Sequence, residues 1–399
     1  LIVDEPVWNA DGSTRRRFLR LLAGAGTAAL LPGLGGLPAM AAPARGQVAC
    51  PGPWTEWRSF VQRHIEANGR VVDFFNADLR STSESQSYAL FFALVDNDPV
   101  LFDRVLGWTR RNLSGGRPDL NLPAWLWGKD KDGSWRVLDE NTASDGELWI
   151  AYALAEASRL WKRPGLLASA RQILALMRKA EVVELPGFGS MLLPGRQGFV
   201  QPDRWTLNPS YLPLFVLRRF AAIDPKGPWG RMAERNVAMI RESAPVGFAP
   251  DWIAWNGKSF VMDSAKGGIG SYDAIRCYLW AGMTDAGDPL RRRLLDALSG
   301  PAAMLRAQGR MAEKVQVRQG VGTGTGPAGF SAALLPYLAA MNQPALLRAE
   351  QARIPADGNL NYYERVLVLF GKGWLDRRYR FSADGRLLPA WSTACSANT

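Results

Sequence analysis

Histidine is almost missing from this chain: one residue, His64, in 399. That excludes His-rich metal sites and argues against a Ser-His-Asp triad, because His64 falls in a helical stretch that reads as solvent-facing. Cysteine is nearly as scarce, with only Cys50, Cys277 and Cys395. No long basic tract exists despite a formal net charge of +11. Arg291-Arg292-Arg293 and Arg377-Arg378 stand among apolar residues and read as solvated helix faces, so nucleic acid is not an expected partner. The run Gly320–Pro327 lacks the Gly-Lys-Ser/Thr ending of a phosphate loop and follows no strand; it reads as a loop at the rim of a cleft. Nothing in the sequence calls for a metal or a cofactor. What is present is ordinary globular composition, 47% hydrophobic and 21% charged, with 16 tryptophans, more than a core alone explains.

At the N-terminus, Thr14-Arg15-Arg16-Arg17-Phe18-Leu19-Arg20 precedes a moderately apolar stretch, Leu21 to Ala42, which closes with the small-x-small pattern Ala39-Met40-Ala41. This resembles a twin-arginine export signal over residues 1–42, which implies a periplasmic or secreted protein. A transmembrane anchor is the competing reading, and Pro32, Pro38 and the low hydrophobicity count against it. Export would bring the chain into an oxidising compartment. A Cys50–Cys395 disulfide tying the two ends of the mature chain is then expected, with Cys277 as a buried thiol.

Residues 43–399 read as a single all-α domain. Periodicity and caps give twelve helical segments, at 54–68, 84–95, 99–113, 144–161, 164–180, 209–222, 229–242, 271–283, 289–305, 329–341, 343–354 and 361–373. Ser83 and Gln86 read as a capping box for the second, and Asp98-Pro99 and Asp288-Pro289 start the third and ninth. Odd-numbered segments are amphipathic and carry most of the Arg and Lys. Even-numbered ones are apolar nearly all round, which marks them as buried. The alternation fits six inner helices inside six outer ones, an (α/α)6 toroid or barrel; a less regular helical solenoid is the alternative. Residues 248–270 alternate in short apolar pieces and read as a small inserted β-hairpin.

In a toroid the inner helices run one way, so their N-termini share a face. The residues there are Ser83-Glu84, Ser144-Asp145-Gly146-Glu147, Asn208-Pro209-Ser210-Tyr211, Ser271-Tyr272-Asp273, Gly329-Phe330-Ser331 and Asn361-Tyr362-Tyr363. Three acids, Glu84, Asp145 and Asp273, would meet in one cleft. Paired carboxylates suit glycoside hydrolysis, one protonating the leaving oxygen and the other activating water or attacking the sugar. Helix N-termini favour ionised acids, so burial or a neighbouring charge such as Asp145 must raise the acid that donates. The loop around Trp125 and Trp127, with Trp135, Trp205 and Asp251-Trp252, offers flat rings for stacking on a neutral polysaccharide, although core packing is the commoner fate of any one tryptophan.

Ser83-Glu84-Ser85-Gln86-Ser87-Tyr88, Pro123-Ala124-Trp125-Leu126-Trp127-Gly128, Ala143-Ser144-Asp145-Gly146-Glu147, Asn208-Pro209-Ser210-Tyr211-Leu212-Pro213 and Ser271-Tyr272-Asp273-Ala274-Ile275-Arg276 together resemble glycoside hydrolase family 8, within it the endoglucanases found beside bacterial cellulose synthases. The resemblance runs from about Cys50 to Cys395. It implies an (α/α)6 barrel, an inverting mechanism, β-1,4-glucan as substrate, and a functional association with a cellulose synthase complex. It implies Glu84 as general acid, Asp273 as general base and Asp145 as a sugar-binding acid, with Asn208, Tyr211 and Arg276 in the cleft beside Tyr272. A monomer is expected. Competing readings are a chitosanase, a xylanase or a polysaccharide lyase on a similar toroid, and a non-catalytic glucan-binding component.

Overall fold

The structure is a computed structural model that describes residues 52–263, 267–356 and 359–392. The expected signal, residues 1–42, and both Cys50 and Cys395 lie outside the described residues. Thirteen α-helices are described: α1 (Thr55–His64), α2 (Ser83–Val95), α3 (Pro99–Asn112), α4 (Ser144–Leu160), α5 (Pro164–Ala180), α6 (Leu214–Ile223), α7 (Trp229–Ser243), α8 (Ala274–Met283), α9 (Arg291–Ala297), α10 (Gly300–Gln308), α11 (Ala328–Ala340), α12 (Pro344–Ala352) and α13 (Tyr362–Leu375).

Six of them, α2, α4, α6, α8, α11 and α13, form a closed inner ring. Tyr88, Phe91 and Phe92 of α2 meet Phe370 of α13; Phe91 meets Trp149 of α4; Trp149 meets Phe215 of α6, and Phe215 meets Trp280 of α8. Helix α11 packs between α8 and α13. Gly371 makes the last approach, since a methyl group there would stand 1.8 Å from the Ala332 carbonyl oxygen. Each Phe or Leu fully buried in this way stabilises by roughly 1.5–3 kcal/mol relative to exposure, so the all-round apolar helices are what fix the ring. The outer helices bury one stripe each: α1 contributes Trp57 and Phe60, α3 Phe102 and Val105, α5 Leu174 and Met177, α7 Met232 and Val237. The architecture is the expected (α/α)6 barrel.

Three details depart from the sequence reading. The helix expected over 289–305 breaks into α9 and α10. Gly300 and Pro301 stand at the break, where the Gly300 N–H is drawn to the Gly247 carbonyl (3.0 Å) and Pro301 has no N–H to offer. His64 is buried, not solvent-facing; its Nδ1 bonds the Val72 carbonyl (3.0 Å) and its ring packs on Phe60. The helix expected from 209 begins as a short 3-10 turn, Pro209–Tyr211, with Pro213 separating it from α6.

Short antiparallel strands join the helices. They are β1 (Ser81–Thr82), β2 (Leu126–Lys129) and β3 (Trp135–Asp139) in one sheet; β4 (Val182–Leu185) and β5 (Gly189–Leu192); β6 (Val200–Gln201), β7 (Arg204–Leu207), β8 (Ile253–Trp255) and β9 (Phe260–Met262); β10 (Ile269–Gly270), β11 (Lys314–Gln316) and β12 (Val321–Thr323); and β13 (Tyr379–Phe381) with β14 (Leu387–Pro389). The expected hairpin is present as β8–β9, but it is half of a four-stranded sheet. Part of the glycine-rich run forms strand β12 rather than loop.

The β13–β14 hairpin closes the ring at the C-terminal ends of the inner helices. Phe381 stacks on Phe215 (3.8 Å between centroids), and Tyr379 meets Phe91. Tyr152 Oη donates to the Gly385 carbonyl (2.8 Å), and Glu156 accepts from the Leu387 N–H (2.8 Å) while pairing with Arg159 and Arg219. The other end of the ring, where the inner helices start, is the open one.

Candidate active site

Helix α2 starts because Thr82, in extended conformation, accepts the Ser85 N–H on its side chain (3.1 Å) while Ser85 Oγ accepts the Thr82 N–H (3.0 Å). The capping pair is thus Thr82 and Ser85, one residue earlier than Ser83 and Gln86. The Gln86 side chain is instead committed inside the fold, bonded to the Val71 N–H (2.7 Å) and to Thr109 Oγ1 (2.9 Å). Every residue of α2 is buried except Glu84, which is half-buried. The Glu84 carboxyl accepts from Ser83 Oγ (3.1 Å). Its proton affinity is raised by burial, against the opposing pull of its own backbone N–H, the Ser83 hydroxyl, Arg276 and Thr82.

Helix α4 brings the second acid alongside. Gly146 touches the start of α2 so closely that a methyl group on it would lie 2.6 Å from Ser83 Oγ and 2.9 Å from the Glu84 nitrogen. The preceding residue, Asp145, is 3% exposed and accepts the Gly146 N–H (2.9 Å). Burial, and then the charge of Glu84, lifts its carboxyl well above the usual range, with Asp273 adding to the effect and Arg276 opposing it. The like-charge repulsion expected to lift Glu84 therefore weighs on Asp145, the more enclosed of the two; Glu84 is lifted first by burial.

The third acid, Asp273, is the residue just before α8. Its side chain is 27% exposed, which leaves it open to water. Arg276, one turn on, ties the acids together: its Nη2 lies 2.8 Å from Asp273 Oδ1 and 3.6 Å from Asp145 Oδ2. The same nitrogen donates to Ser210 Oγ (2.9 Å), and Nη1 reaches Tyr363 Oη (3.4 Å). Ser210 is held in turn by Asn208, whose Oδ1 accepts both the Ser210 hydroxyl (2.7 Å) and its N–H (3.0 Å). The Asn208 Nδ2 is buried without a partner. Tyr211 lies under the Arg276 guanidinium (5.7 Å to the ring centre), and its hydroxyl is pushed up by burial and by all three acids.

The aromatic residues separate by position. Trp125 is half-buried, and its carbonyl accepts the Ser83 N–H (3.0 Å) beside Glu84. Tyr272 donates to Glu313 (3.2 Å), and its carbonyl accepts from Tyr363 Oη (2.6 Å). Burial and Glu313 push its phenol up to about 12. Trp127 packs away in an aromatic stack with Trp108, Trp135 and the Arg70 guanidinium (4.4 Å). Trp205 is half-buried on β7 opposite Trp255, and Trp252 lies parallel to Phe199 and meets the edge of Tyr211. Cys277 is a free buried thiol. Among the described residues no cluster of His, Cys, Asp or Glu is arranged to hold a metal ion.

The ring thus gathers Glu84, Asp145, Asp273, Arg276, Asn208, Tyr211 and Tyr272, with Trp125 beside them. It holds Trp127 against Arg70 instead. Ser210, expected on the cleft face, is found to link Asn208 to Arg276, and one partner escaped the sequence reading as a site residue: Asp251, which bonds the start of α8. Asp251 stood in the sequence only as the neighbour of Trp252.

The profile of the glycosyl hydrolases family 8 matches residues 37–377. The chain is 64% identical over 392 residues to an endoglucanase of Xanthomonas axonopodis pv. citri (strain 306), covering 97% of this chain and 100% of the relative. It is 43% identical over 352 residues to an endoglucanase of Escherichia coli (strain K12), covering 88% and 94%. Among solved structures it is similar to the endo-1,4-D-glucanase from Vibrio fischeri ES114, with a TM-score of 0.79 and 40% identity over 85% of this chain and 99% of that one.

Proposed function

Because the chain belongs to glycosyl hydrolases family 8, a family of inverting enzymes, we infer that it is an endo-β-1,4-glucanase that cuts non-crystalline cellulose. The observation that carries the reading is the set of three carboxyls at the open end of the ring, two of which, Asp145 and Asp273, are joined through the Arg276 guanidinium. Glu84 protonates the departing glycosidic oxygen. Its burial favours the protonated form that this step needs. Asp273, the more exposed acid, takes a proton from the water that attacks the anomeric carbon from the opposite face. Asp145 holds hydroxyls of the distorted sugar between them, and Arg276 keeps Asp145 and Asp273 oriented. Trp125, Tyr211 and Tyr272 supply faces and hydroxyls for neighbouring glucose units.

In the cell, this activity serves cellulose synthesis by trimming or releasing glucan chains outside the cytoplasm. Support comes from the Thr14–Leu19 pattern and the Ala39-Met40-Ala41 closing motif. Replacing Arg15 and Arg16 by lysine is expected to retain the protein in the cytoplasm, and unchanged fractionation overturns the export route.

A reducing-end assay on carboxymethylcellulose tests the chemistry. Glu84→Gln and Asp273→Asn are each expected to lose about 10²–10⁴ in kcat, the usual worth of a general acid or base. Wild-type turnover in either variant overturns that residue's assignment. Xylan and chitosan run in parallel decide the substrate class.

A further inference from the structure

The start of α8 is capped from a distance. Asp273 occupies the N-cap position, where an aspartate ordinarily turns its carboxylate onto the first free N–H groups of its own helix. Here it makes no such bond; its backbone is already helical (φ −79°, ψ −50°) and its carboxylate turns to Arg276. The N–H groups it would ordinarily accept, of Ile275 and Arg276, are already bonded to the carbonyls of Ser271 (3.0 Å) and Asp273 (3.1 Å). Asp251, on the loop between α7 and α8, accepts through a single oxygen, Oδ1, from the N–H groups of Ser271 (2.8 Å), Asp273 (3.1 Å) and Ala274 (2.7 Å). Asp251 is itself pinned, since its own N–H donates to the Ile269 carbonyl (2.8 Å).

We propose that Asp251 is the positioning residue for Asp273: by accepting the three N–H groups of the Ser271–Ala274 turn, it fixes the backbone from which the Asp273 carboxylate reaches Arg276 and the cleft. The inference rests on the reading of Asp273 as the general base. Without Asp251, three N–H groups at a largely enclosed helix start lose their acceptor, and the turn that carries Asp273 is released. A base whose backbone has shifted has left the position from which it reaches water. Burial and the neighbouring Asp273 charge push Asp251 up to about 7. Asparagine, which keeps the accepting oxygen and carries no charge, is a close substitute.

The test compares Asp251→Ala, Asp251→Asn and, as a control, Asp98→Ala, which removes the cap of the outer helix α3 (Asp98 Oδ1 to the Leu101 N–H, 2.8 Å). Each is assayed for kcat and KM on carboxymethylcellulose and for Tm. Asp251→Ala is expected to lose about 10–10² in kcat, the scale of a misplacement of about 1 Å, with KM held within about twofold. Asp251→Asn is expected to restore kcat to within about threefold of wild type. Asp98→Ala is expected to lower Tm by a similar amount with kcat unchanged. A crystal structure of Asp251→Ala is expected to show the Ser271–Ala274 turn displaced and the Asp273–Arg276 contact lengthened from 2.8 Å. Wild-type kcat in Asp251→Ala, or equal loss of kcat in the Asp98→Ala control, overturns the positioning role. If Asp273→Asn retains full activity, the assignment of the base fails instead, so the two failures are told apart.

Discussion

Replacing Gly146 by alanine separates what holds the barrel together from what aligns its acids. The added methyl would stand 2.6 Å from Ser83 Oγ, 2.9 Å from the Glu84 nitrogen and 3.0 Å from the Ser83 carbonyl carbon, where ordinary contact begins near 3.4 Å. Two of those three neighbours are backbone atoms, so a rotamer change cannot relieve the contact. Ser83 Oγ can rotate away, but taking the Glu84 nitrogen from 2.9 to 3.4 Å requires the first turn of α2 to retreat by about 0.5 Å, carrying Glu84 with it. Alanine gains about 0.8–1 kcal/mol of helix propensity over glycine, and overpacking costs about 1–3 kcal/mol. The net destabilisation is about 0–2 kcal/mol, a fall in Tm of about 0–3 °C for a domain of this size. The displacement of the acid should cost far more in rate, about 10–10² in kcat. Calorimetry and initial rates on carboxymethylcellulose read the two effects separately. A Gly146→Ala protein with wild-type kcat would refute the idea that the α2–α4 contact sets the position of Glu84.

Two further outcomes follow from buried charge. Glu147, wholly enclosed beside Glu181, is lifted well above its ordinary 4.5 by burial and by Glu181, which in turn accepts from Thr142 Oγ1 (2.5 Å). A carboxyl raised in the folded state contributes stability that is complete below its unfolded value and is lost as pH rises through its folded value. Glu147→Gln stays neutral, so its denaturation midpoint should fall less than wild type's as pH rises above 4.5; wild type loses about 1.4 kcal/mol per pH unit wherever one proton is released. Parallel midpoint curves would dismiss a raised Glu147 carboxyl. Arg276→Met removes the cation that opposes the upward shifts of both Glu84 and Asp145. Its kcat should drop by about 10² or more as Asp273 loses its tether, and the alkaline limb of kcat/KM should move to higher pH. A pH profile that does not move would mean that Arg276 acts through geometry alone.

Much of the fold was legible because the inner helices carry their burial in their composition. Segments such as Ala89–Val95 and Phe330–Leu338 have no polar face, and the structure buries them on every side. Apart from the β8–β9 hairpin, the strands were not legible: most have two to four residues, too few to display an alternation, and some pair across long stretches of chain, as Ser81 does with Trp127. The glycine-rich run hid β12 for the same reason. At the site, the acids were readable as a group because each sits at the start of a buried helix, and the ring brings those starts to one face. Asp251 was not. It caps a helix that begins some twenty residues later, and nothing adjacent to it in the chain announces that bond. Trp127 is half-buried like Trp125, but its stacking on Arg70 and Trp135, residues distant in the chain, could not be read from the Pro- and Gly-bounded loop.

The β13–β14 hairpin has a bearing on what the barrel can accept. With Phe381, Tyr379 and Phe91 filling its floor, the ring is a bowl rather than a tube. A polymer cannot be threaded through it and can only be laid over the rim, both tails outside. Attack then demands no free terminus, each encounter can begin anywhere along a strand, and the two fragments depart in opposite directions without having to slide past the acids that made them.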